Sequence, residues 1–203
     1  MPSTTVRIKN LALAHIGHSI FIDDDNEEGN EPDVLNTVFD DAVAVVLEDF
    51  WWSFARRFVT LGLVTDFTAL TTPQKWSYAY RYPVDVVTIR GIVTGARELE
   101  TNPAEWEIGS DDTGRLIYTN TEDCIIEVTK LITDAALYPA MFAMAVSWYL
   151  AFLIVPALAK DKSIAGNMLV MYNAALQTAE VKDAMESHYN PQHQESESIR
   201  ARA

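Results

Sequence analysis

The stretch of sequence that decides the fold is Trp51-Trp52-Ser53-Phe54-Ala55-Arg56-Arg57-Phe58. Before it, apolar residues recur every three or four positions, as they do on one face of a helix. After it, apolar and polar residues alternate, as they do in a strand. Three large aromatic side chains within four residues bring much apolar area to one point. The pattern predicts a buried corner at which helix gives way to strand. A stacking platform for bases is the alternative, but such platforms sit in basic grooves, and this chain is acidic.

The composition of the 203-residue chain argues against several classes of protein. With 49% hydrophobic and 22% charged residues, the chain can bury a sizeable core in one or two domains. A net charge of −14 argues against independent nucleic-acid binding, although it permits contact with DNA that slides past. The single cysteine, Cys124, cannot form an internal disulfide, so nothing indicates an oxidising compartment. The amphipathic N-terminal stretch, with Arg7 and Lys9 inside it, does not resemble a signal peptide.

The first 18 residues predict a helix and, around its C-terminal end, a candidate metal pair. Thr4 or Thr5 can cap this helix, and Gly17 is expected to end it. Its buried face is predicted from the helical spacing of Ile8, Leu11, Ala12 and Ile16. His15 and His18 lie three residues apart, as two metal ligands can. A metal site needs further convergent ligands, and none is near in the sequence.

An acidic loop and a second helix are predicted to follow. Residues 23–31 are rich in carboxylates but fail the EF-hand pattern, because Glu28 stands at the sixth position and Val34 at the twelfth. We therefore predict a solvated connecting loop. Pro32 fits the first turn of the second helix. The apolar stripe of that helix is predicted to contain Leu35, Val38, Phe39, Ala42, Val45, Val46 and Phe50.

Residues 56–133 have the period of short strands. Strands are predicted over residues 56–64, 86–93, 106–108, 116–118 and 124–129, in a compact antiparallel sheet or small barrel. Trp76, Tyr78, Tyr80 and Tyr82 alternate with other residues, so we predict that they share one strand face. We interpret that face as the inner face of the sheet, and a sugar- or base-binding face as the alternative. Asp111 and Asp112 are paired carboxylates in a turn, where aspartate is favoured for local backbone bonding.

The C-terminal third of the chain predicts two more helices. Residues 135–159 contain no charged side chain, and such a length satisfies the hydropathy test for a membrane span. Trp148 and Tyr149 lie in the middle of this run rather than at its ends, so we predict a buried helix of a bundle, which Pro156 kinks or ends. A last helix is predicted over residues 163–188, with a length near ~40 Å. Its apolar positions are Ala165, Met168, Leu169, Tyr172, Ala175, Leu176, Ala179 and Met185.

The sequence therefore predicts an α+β fold: a helical bundle of about four helices with an inserted small antiparallel β-domain. Residues 1–55 and 134–190 are assigned to the bundle, and residues 56–133 to the β-domain. Residues 191–203 are predicted to form a flexible C-terminal tail. It is either a frayed end or a docking arm whose Arg200 and Arg202 pair with carboxylates of a partner. No phosphate-binding loop, nucleophile elbow or zinc pattern occurs in the sequence. No catalytic, cofactor-binding or metal-binding residue is assigned, and no enzyme activity or cofactor is expected.

In their order and spacing, these motifs resemble those of the tail tubular protein A family, the head-to-tail adaptors or gatekeepers of tailed bacteriophages. The resemblance spans most of the chain. It rests on His15-Ile16-Gly17, Trp51-x-x-Phe54-Ala55-x-Arg57, Trp76-x-Tyr78-x-Tyr80-x-Tyr82-Pro83-x-Asp85, the Tyr118 hairpin, the Glu127 strand, Pro139-x-x-Phe142 and Ala174-Ala175-x-x-x-Ala179. Pro156 and the acidic loop before Pro32 depart from the family pattern.

The resemblance implies a structural virion protein in the neck and tail region, made in the host bacterial cytoplasm. Such proteins form a homo-oligomeric ring, a dodecamer, beneath the portal protein and next to the tail nozzle or tail tube protein. The bundle is expected to pack around the ring, and the β-domain to point toward the tail. Double-stranded DNA passes through the ring without specific binding. The alternatives are a tail-associated protein that binds or hydrolyses glycans, and a small helical membrane protein.

Charge indicates how such a ring would work. A lumen lined with carboxylates repels DNA phosphates, so the duplex slides without sticking. We expect residues 23–31, Asp111 and Asp112 to project toward the channel or a rim of the ring. A charge of −14 on each copy opposes crowding of copies, so the free protein is expected to be mostly monomeric and the portal to template the ring.

Overall fold

The computed structural model describes residues 4–65, 75–93 and 104–187. The described residues form the predicted α+β fold, in which four helices are combined with two small antiparallel sheets. Its elements are α1 (Thr5–His15), α2 (Asn30–Asp49), β1 (Arg56–Thr60), β2 (Tyr78–Arg81), β3 (Val86–Val93), β4 (Trp106–Asp111), β5 (Gly114–Thr119), β6 (Ile125–Lys130), α3 (Ala140–Leu158) and α4 (Ala165–Ser187). The predicted C-terminal tail lies outside the described residues.

Helix α1 begins and ends where the sequence predicts. The Thr4 side chain accepts a hydrogen bond from the backbone N–H of Arg7 over 3.2 Å, which satisfies one of the free donors of the first turn. At the other end, Gly17 has a φ of +71°, the left-handed conformation that glycine adopts without strain. Leu13 is fully buried, whereas Leu11, which was expected in the core, is only half-buried.

Helix α3 lies at the centre of the bundle and packs against α1, α2 and α4. Of the described helices, it alone is long and apolar enough to cross a membrane, and 56% of its most apolar 18 residues are buried inside the protein. A single helix of this kind is weak evidence for a membrane span, because core helices of bundles pass the same test. Pro156 does not end α3, which continues to Leu158.

The corner between α2 and β1 is anchored by Trp52, which is 1% exposed. Its indole Nε1 donates to the carbonyl oxygen of Val46 over 2.7 Å. Its ring packs edge-on against Phe142 of α3, with ring centres 5.0 Å apart, and Phe54 packs on the same phenylalanine. Trp51, however, is 58% exposed. The prediction that all three aromatics are buried is confirmed for Trp52, holds only in part for Phe54, which is partly buried, and is wrong for Trp51.

The strands form two three-stranded sheets, which a bridge between Leu63 and Tyr80 links, rather than one continuous sheet. Their strand orders are β1-β6-β3 and β2-β5-β4, and all pairs are antiparallel. The two sheets share a buried core, to which they contribute Tyr80, Ile89, Ile117, Ile126 and Val128. Because the first strand pairs with the last, with Arg56 opposite Thr129, the two ends of the β region lie side by side below the helices.

The predicted aromatic row is divided between two sites. Tyr80 is buried in the core between the sheets, and Tyr78 and Tyr82 pack against that core while partly buried. For these tyrosines the interpretation as an inner face is confirmed. Trp76 precedes β2 and belongs to a different cluster with Ala79 and others, so the prediction of one shared face is wrong for Trp76. Alternation in sequence orders side chains only where the backbone is already a strand.

Helix α4 packs along α3 with one of its faces. Its 23 residues correspond to about 35 Å, slightly less than predicted. Met168, Tyr172, Ala175 and Ala179 are buried, as their spacing predicts. Leu169 and Met185 were expected in the same face but are exposed, Met185 by 71%. The helix carries apolar residues on more than one face, and periodicity cannot say which of them meets the core.

Candidate interaction surfaces

The outward face of α4 carries several exposed apolar residues, interrupted by the exposed Gln177. Val170, Ala174, Val181 and Met185 are exposed, and their spacing of four, seven and four residues places them on one side of the helix. This set, here named the α4 outer face, lies opposite the residues that pack on α3. A stripe of this spacing is typical of a helix that packs on a second partner.

Two polar contacts hold the inner face of α4 to the corner. The Asp183 carboxylate, which is buried, accepts hydrogen bonds from the Ser53 backbone N–H over 3.0 Å and from its hydroxyl over 2.7 Å. The Tyr172 hydroxyl donates to the carboxylate of Asp49. Burial, together with that carboxylate, raises the pKa of Tyr172 far above its usual range, so the hydroxyl remains a donor. These contacts fix how α4 lies on the bundle.

Many of the acidic residues lie in the loop before α2 and in α2 itself. Residues 10–55 contain eleven aspartates and glutamates and no lysine or arginine. Asp33, Asp40, Asp41 and Glu48 are exposed on one side of α2, and none of them forms an ion pair within the part of the chain that the structure describes. These four residues are here named the α2 acidic face.

The acidic loop 23–31 is held against the helices at one point. Lys9 of α1, although a lysine, is 3% exposed. Its ammonium group contacts Asp25 over 2.6 Å and the side-chain oxygen of Asn36 over 2.5 Å, because a buried charge requires such partners. The other carboxylates of the loop, including Asp23 and Asp24, remain exposed, except for Glu31, which is partly buried. The predicted solvated loop is therefore confirmed, with one buried anchor.

The two predicted histidines do not form a metal pair. The His15 ring stacks on Trp148 with centres 3.4 Å apart, and its Nε2 lies 3.1 Å from the Ser147 hydroxyl. His18 lies 3.7 Å from the Glu31 carboxylate. Within residues 4–65, 75–93 and 104–187, no group of three or more His, Cys, Asp or Glu side chains could hold a metal ion. Burial lowers the pKa of His15 to about 4, so its ring is neutral at pH 7.

The paired carboxylates Asp111 and Asp112 have different surroundings. Asp111 accepts from Arg81 over 2.8 Å and from the Thr113 hydroxyl over 2.7 Å. The Arg81 contact, followed by the Thr113 contact, lowers the pKa of Asp111 far below its ordinary value. Asp112 is exposed at the turn. Asp111 therefore stabilises the β4–β5 hairpin, as the turn pattern predicts.

An aromatic and basic patch covers the outer face of the β1-β6-β3 sheet. Phe58 is 59% exposed, and the Arg56 guanidinium carbon lies 5.2 Å from its ring centre. Arg56 Nε also contacts the Glu127 carboxylate over 2.7 Å. Arg90 lies 3.7 Å from the same carboxylate and 6.0 Å from the ring of the exposed Trp51. Trp51, Arg56 and Phe58, supported by Arg90 and Glu127, are here named the aromatic–arginine patch.

Arg90 ties this patch to the helical corner. Its side chain is 6% exposed, and burial lowers its pKa, while the nearby Glu127 opposes that shift. Its Nη2 donates to the carbonyl oxygen of Trp52 over 2.6 Å, and its Nε donates to the Thr129 hydroxyl over 3.1 Å. A buried guanidinium needs several such acceptors. The patch is therefore held by contacts to both α2–β1 and β6.

A shallow cleft of about 520 Å³ lies between the sheets and contains two tryptophans, Trp76 and Trp106. The Lys75 ammonium is 4.3 Å from the centre of the Trp76 ring. The Trp76 indole donates to the Glu107 carboxylate over 3.0 Å. The cleft combines aromatic surface with charged groups, as sugar-binding surfaces do.

Sequence reasoning located the acidic loop and hairpin but missed the aromatic–arginine patch and the α4 outer face. The signal for the patch was present, since Arg56 and Phe58 are two residues apart in a predicted strand and so share a face. Its other members come from positions 51, 90 and 127, which only the fold brings together.

Comparisons with known proteins do not identify a family for this chain. No protein-family model matches the chain, and no curated protein matches it. The assignment of function therefore rests on the resemblance in the sequence and on the surfaces described above.

Proposed function

We propose that this chain is a structural virion protein of a tailed bacteriophage, a head-to-tail adaptor that forms a ring between portal and tail. The observation that carries the proposal is the α4 outer face. A 23-residue helix that packs on one neighbour and exposes a second apolar stripe is suited to a larger assembly, since such faces mark sites of protein contact. We assign this stripe to the portal or to a neighbouring copy. The role is non-enzymatic, and the ring is a dodecamer.

The acidic residues support passage of the genome through such a ring. Eleven carboxylates without a basic residue over positions 10–55 produce a negative field that repels DNA phosphates. We assign the exposed part of loop 23–31 and Asp112 to the channel or to a rim of the ring. Asp111 is a weaker candidate than its neighbour, because its charge is balanced by Arg81.

Electron microscopy of portal particles, mixed with the purified protein or left alone, tests the adaptor function. We expect an additional ring of density at one end of the portal after mixing. A portal that gains no density at any protein concentration, in a buffer where both components are folded, contradicts the proposal. A density map that places loop 23–31 on the outer circumference contradicts only the lumen assignment.

Glycan binding at the tryptophan cleft is the second candidate function. Trp106, which is partly buried, lines one open cleft with Glu105 and with Trp76, whose side chain is only 6% exposed and lies beneath Lys75. The Trp106 ring is therefore the one on which a sugar face would stack. Titration of bacterial cell-wall and surface glycans, followed by tryptophan fluorescence, discriminates this candidate from the adaptor. We expect no saturable change if the chain is an adaptor only. A saturable change that Trp106→Ala removes supports the glycan function, and release of shorter glycans indicates hydrolysis.

A further inference from the structure

We propose that the aromatic–arginine patch of one copy docks on the α2 acidic face of a second copy. The occupant of the patch is thus another molecule of this chain, bound through a different surface. Contacts of this kind are heterologous, and they repeat around a ring when the rotation closes. The inference deepens the proposed function by naming the contact between neighbours, and it rests on that proposal for its biological setting.

The composition of the patch is that of a binding surface. Trp51 and Phe58 are each more than half exposed, although burial of large aromatic rings is more stabilising than burial of smaller side chains. Tryptophan, phenylalanine and arginine are enriched at protein interfaces, while lysine and glutamate are depleted. Phe58 lies on β1, which is an edge strand of its sheet, so a partner can reach it without displacing another strand.

The basic group of the patch is already ordered. Arg56 is held by its Nε contact with Glu127 and by its position over the Phe58 ring. Half of its side chain nevertheless remains exposed, which leaves the terminal nitrogens of the guanidinium free to meet a carboxylate of a partner. Because the side chain is pre-positioned, binding costs less conformational entropy.

Charge selects the partner. Arg56 and Arg90 are positive and Glu127 is negative, but Arg90 is 6% exposed and the Asp183 carboxylate also acts on it. Arg56 therefore supplies the exposed positive charge of the patch on a chain of −14. The α2 acidic face offers four exposed carboxylates that have no ion pair among the described residues. Two copies of so acidic a chain repel each other in most orientations, and a contact between the patch and this face is the orientation that electrostatics favours.

A photo-reactive phenylalanine analogue tests the contact. We would replace Phe58 by p-benzoylphenylalanine in the full chain, illuminate the concentrated free protein, and identify the joined peptides by mass spectrometry. The expected product joins position 58 to a peptide of Asn30–Asp49 in a second copy. The matched control places the analogue at Phe21, which is 51% exposed and lies outside the patch. Adducts on another surface, or no covalent dimer above the control, overturn the proposal.

Charge reversal gives a second, independent test on the same assay. Arg56→Glu on the labelled chain, or Asp40→Lys with Asp41→Lys on its partner, is expected to lower the dimer yield by more than about tenfold, since like charges then meet. Mixing the two reversed proteins restores opposite charges and is expected to restore the yield. Arg115→Glu, an exposed arginine outside the patch, serves as the control for net charge. Single reversals without effect, or a mixture that does not recover, overturn the proposal.

These experiments distinguish failure of the adaptor function from failure of the proposed contact between copies. The cross-linking uses no portal, so a portal that gains no ring leaves a positive cross-link standing. Conversely, a ring on the portal together with adducts only on portal peptides, when the portal is added to the labelled protein, keeps the adaptor function and assigns the patch to the portal instead of a second copy.

Discussion

Among the described glycines, Gly109 is the one at which an added side chain would collide with its surroundings. A Cβ atom at this position would lie 2.2 Å from Cε2 of Tyr118, whose ring covers the glycine across the β4–β5 pair. Tyr118 is buried and has little room to turn. We expect Gly109→Ala to lower the free energy of unfolding by about 1–3 kcal/mol, as overpacking does.

Urea denaturation measures this effect, with Gly91→Ala as the matched control. Gly91 also lies in a strand, but nothing stands within 4 Å of a Cβ added there, so its substitution is expected to be nearly neutral. Equal stability of the two variants would show that the Tyr118 ring moves aside without cost.

A second prediction at the residue scale concerns His15, which makes the free energy of unfolding depend on pH. Its pKa is about 4 in the folded protein and near ~6.5 in an unfolded chain. The unfolded chain therefore binds more protons between these values, and stability falls as the pH falls from about 6.5 toward 4. Above this window, the histidine is neutral in both states and contributes no pH dependence.

Unfolding midpoints of the wild type and His15→Phe across this pH range check the prediction. Phenylalanine keeps a ring on Trp148 but cannot titrate, and Ser147 retains its bond to the carbonyl oxygen of Met144. We expect the variant to lose less stability than the wild type on acidification. Parallel pH profiles would assign the acid sensitivity to other groups.

At the scale of elements, the position of α4 on the bundle depends on Asp183. Asp183→Ala would leave the Ser53 N–H and hydroxyl without their acceptor, and a buried donor left unpaired costs about 1–3 kcal/mol. We expect faster amide hydrogen exchange in the last turns of α4 and a lower melting temperature. Glu186→Ala, which removes an exposed carboxylate from the same helix, is the control and is expected to change neither.

The α4 outer face leads to a prediction about assembly rather than stability. Val181→Glu places a charge in the middle of the stripe without touching α3, so the free energy of unfolding should change by less than about 0.5 kcal/mol. Attachment to portal particles should weaken, because a buried unpaired charge is costly at an interface. Asn173→Glu adds the same charge at another exposed position of α4. Attachment is measured by co-sedimentation with portal particles. Equal attachment of the two variants would show that the α4 outer face is not part of the contact with the portal.

Sequence alone predicted most elements but not all of their partners. The strand over residues 86–93 and the end of α1 at Gly17 are where the local patterns indicate. The division into two sheets was not predictable, because β1 pairs with β6 some seventy residues later and no turn signal encodes that pairing. Leu169 and Met185 were misplaced because α4 has two apolar faces, and the choice between them is made by α3 and by Asp183.

For the molecule as a whole, net charge governs association. Copies with a charge of −14 repel one another at low ionic strength, so we expect the free protein to sediment mainly as a monomer there. Docking of the patch, whose exposed positive charge is that of Arg56, on a face with four carboxylates is expected to remain transient without the portal. Sedimentation velocity at low and moderate salt checks this prediction. A stable ring in portal-free solution at low salt would contradict the template role of the portal while keeping the adaptor function.

The side-by-side ends of the β region have a consequence for synthesis on the ribosome. Residues 50–139 separate α2 from α3, the central helix on which α1 and α2 pack. At roughly 5–20 residues translated per second, the first two helices leave the ribosome many seconds before that partner exists. During this interval α3 is not yet there to cover their apolar stripes, whereas the β region can complete its pairing as soon as β6, which precedes α3, has been made. The β region of the nascent chain therefore folds before the helical bundle. The first fifty residues are the segment whose exposed apolar surface a chaperone would bind for longest.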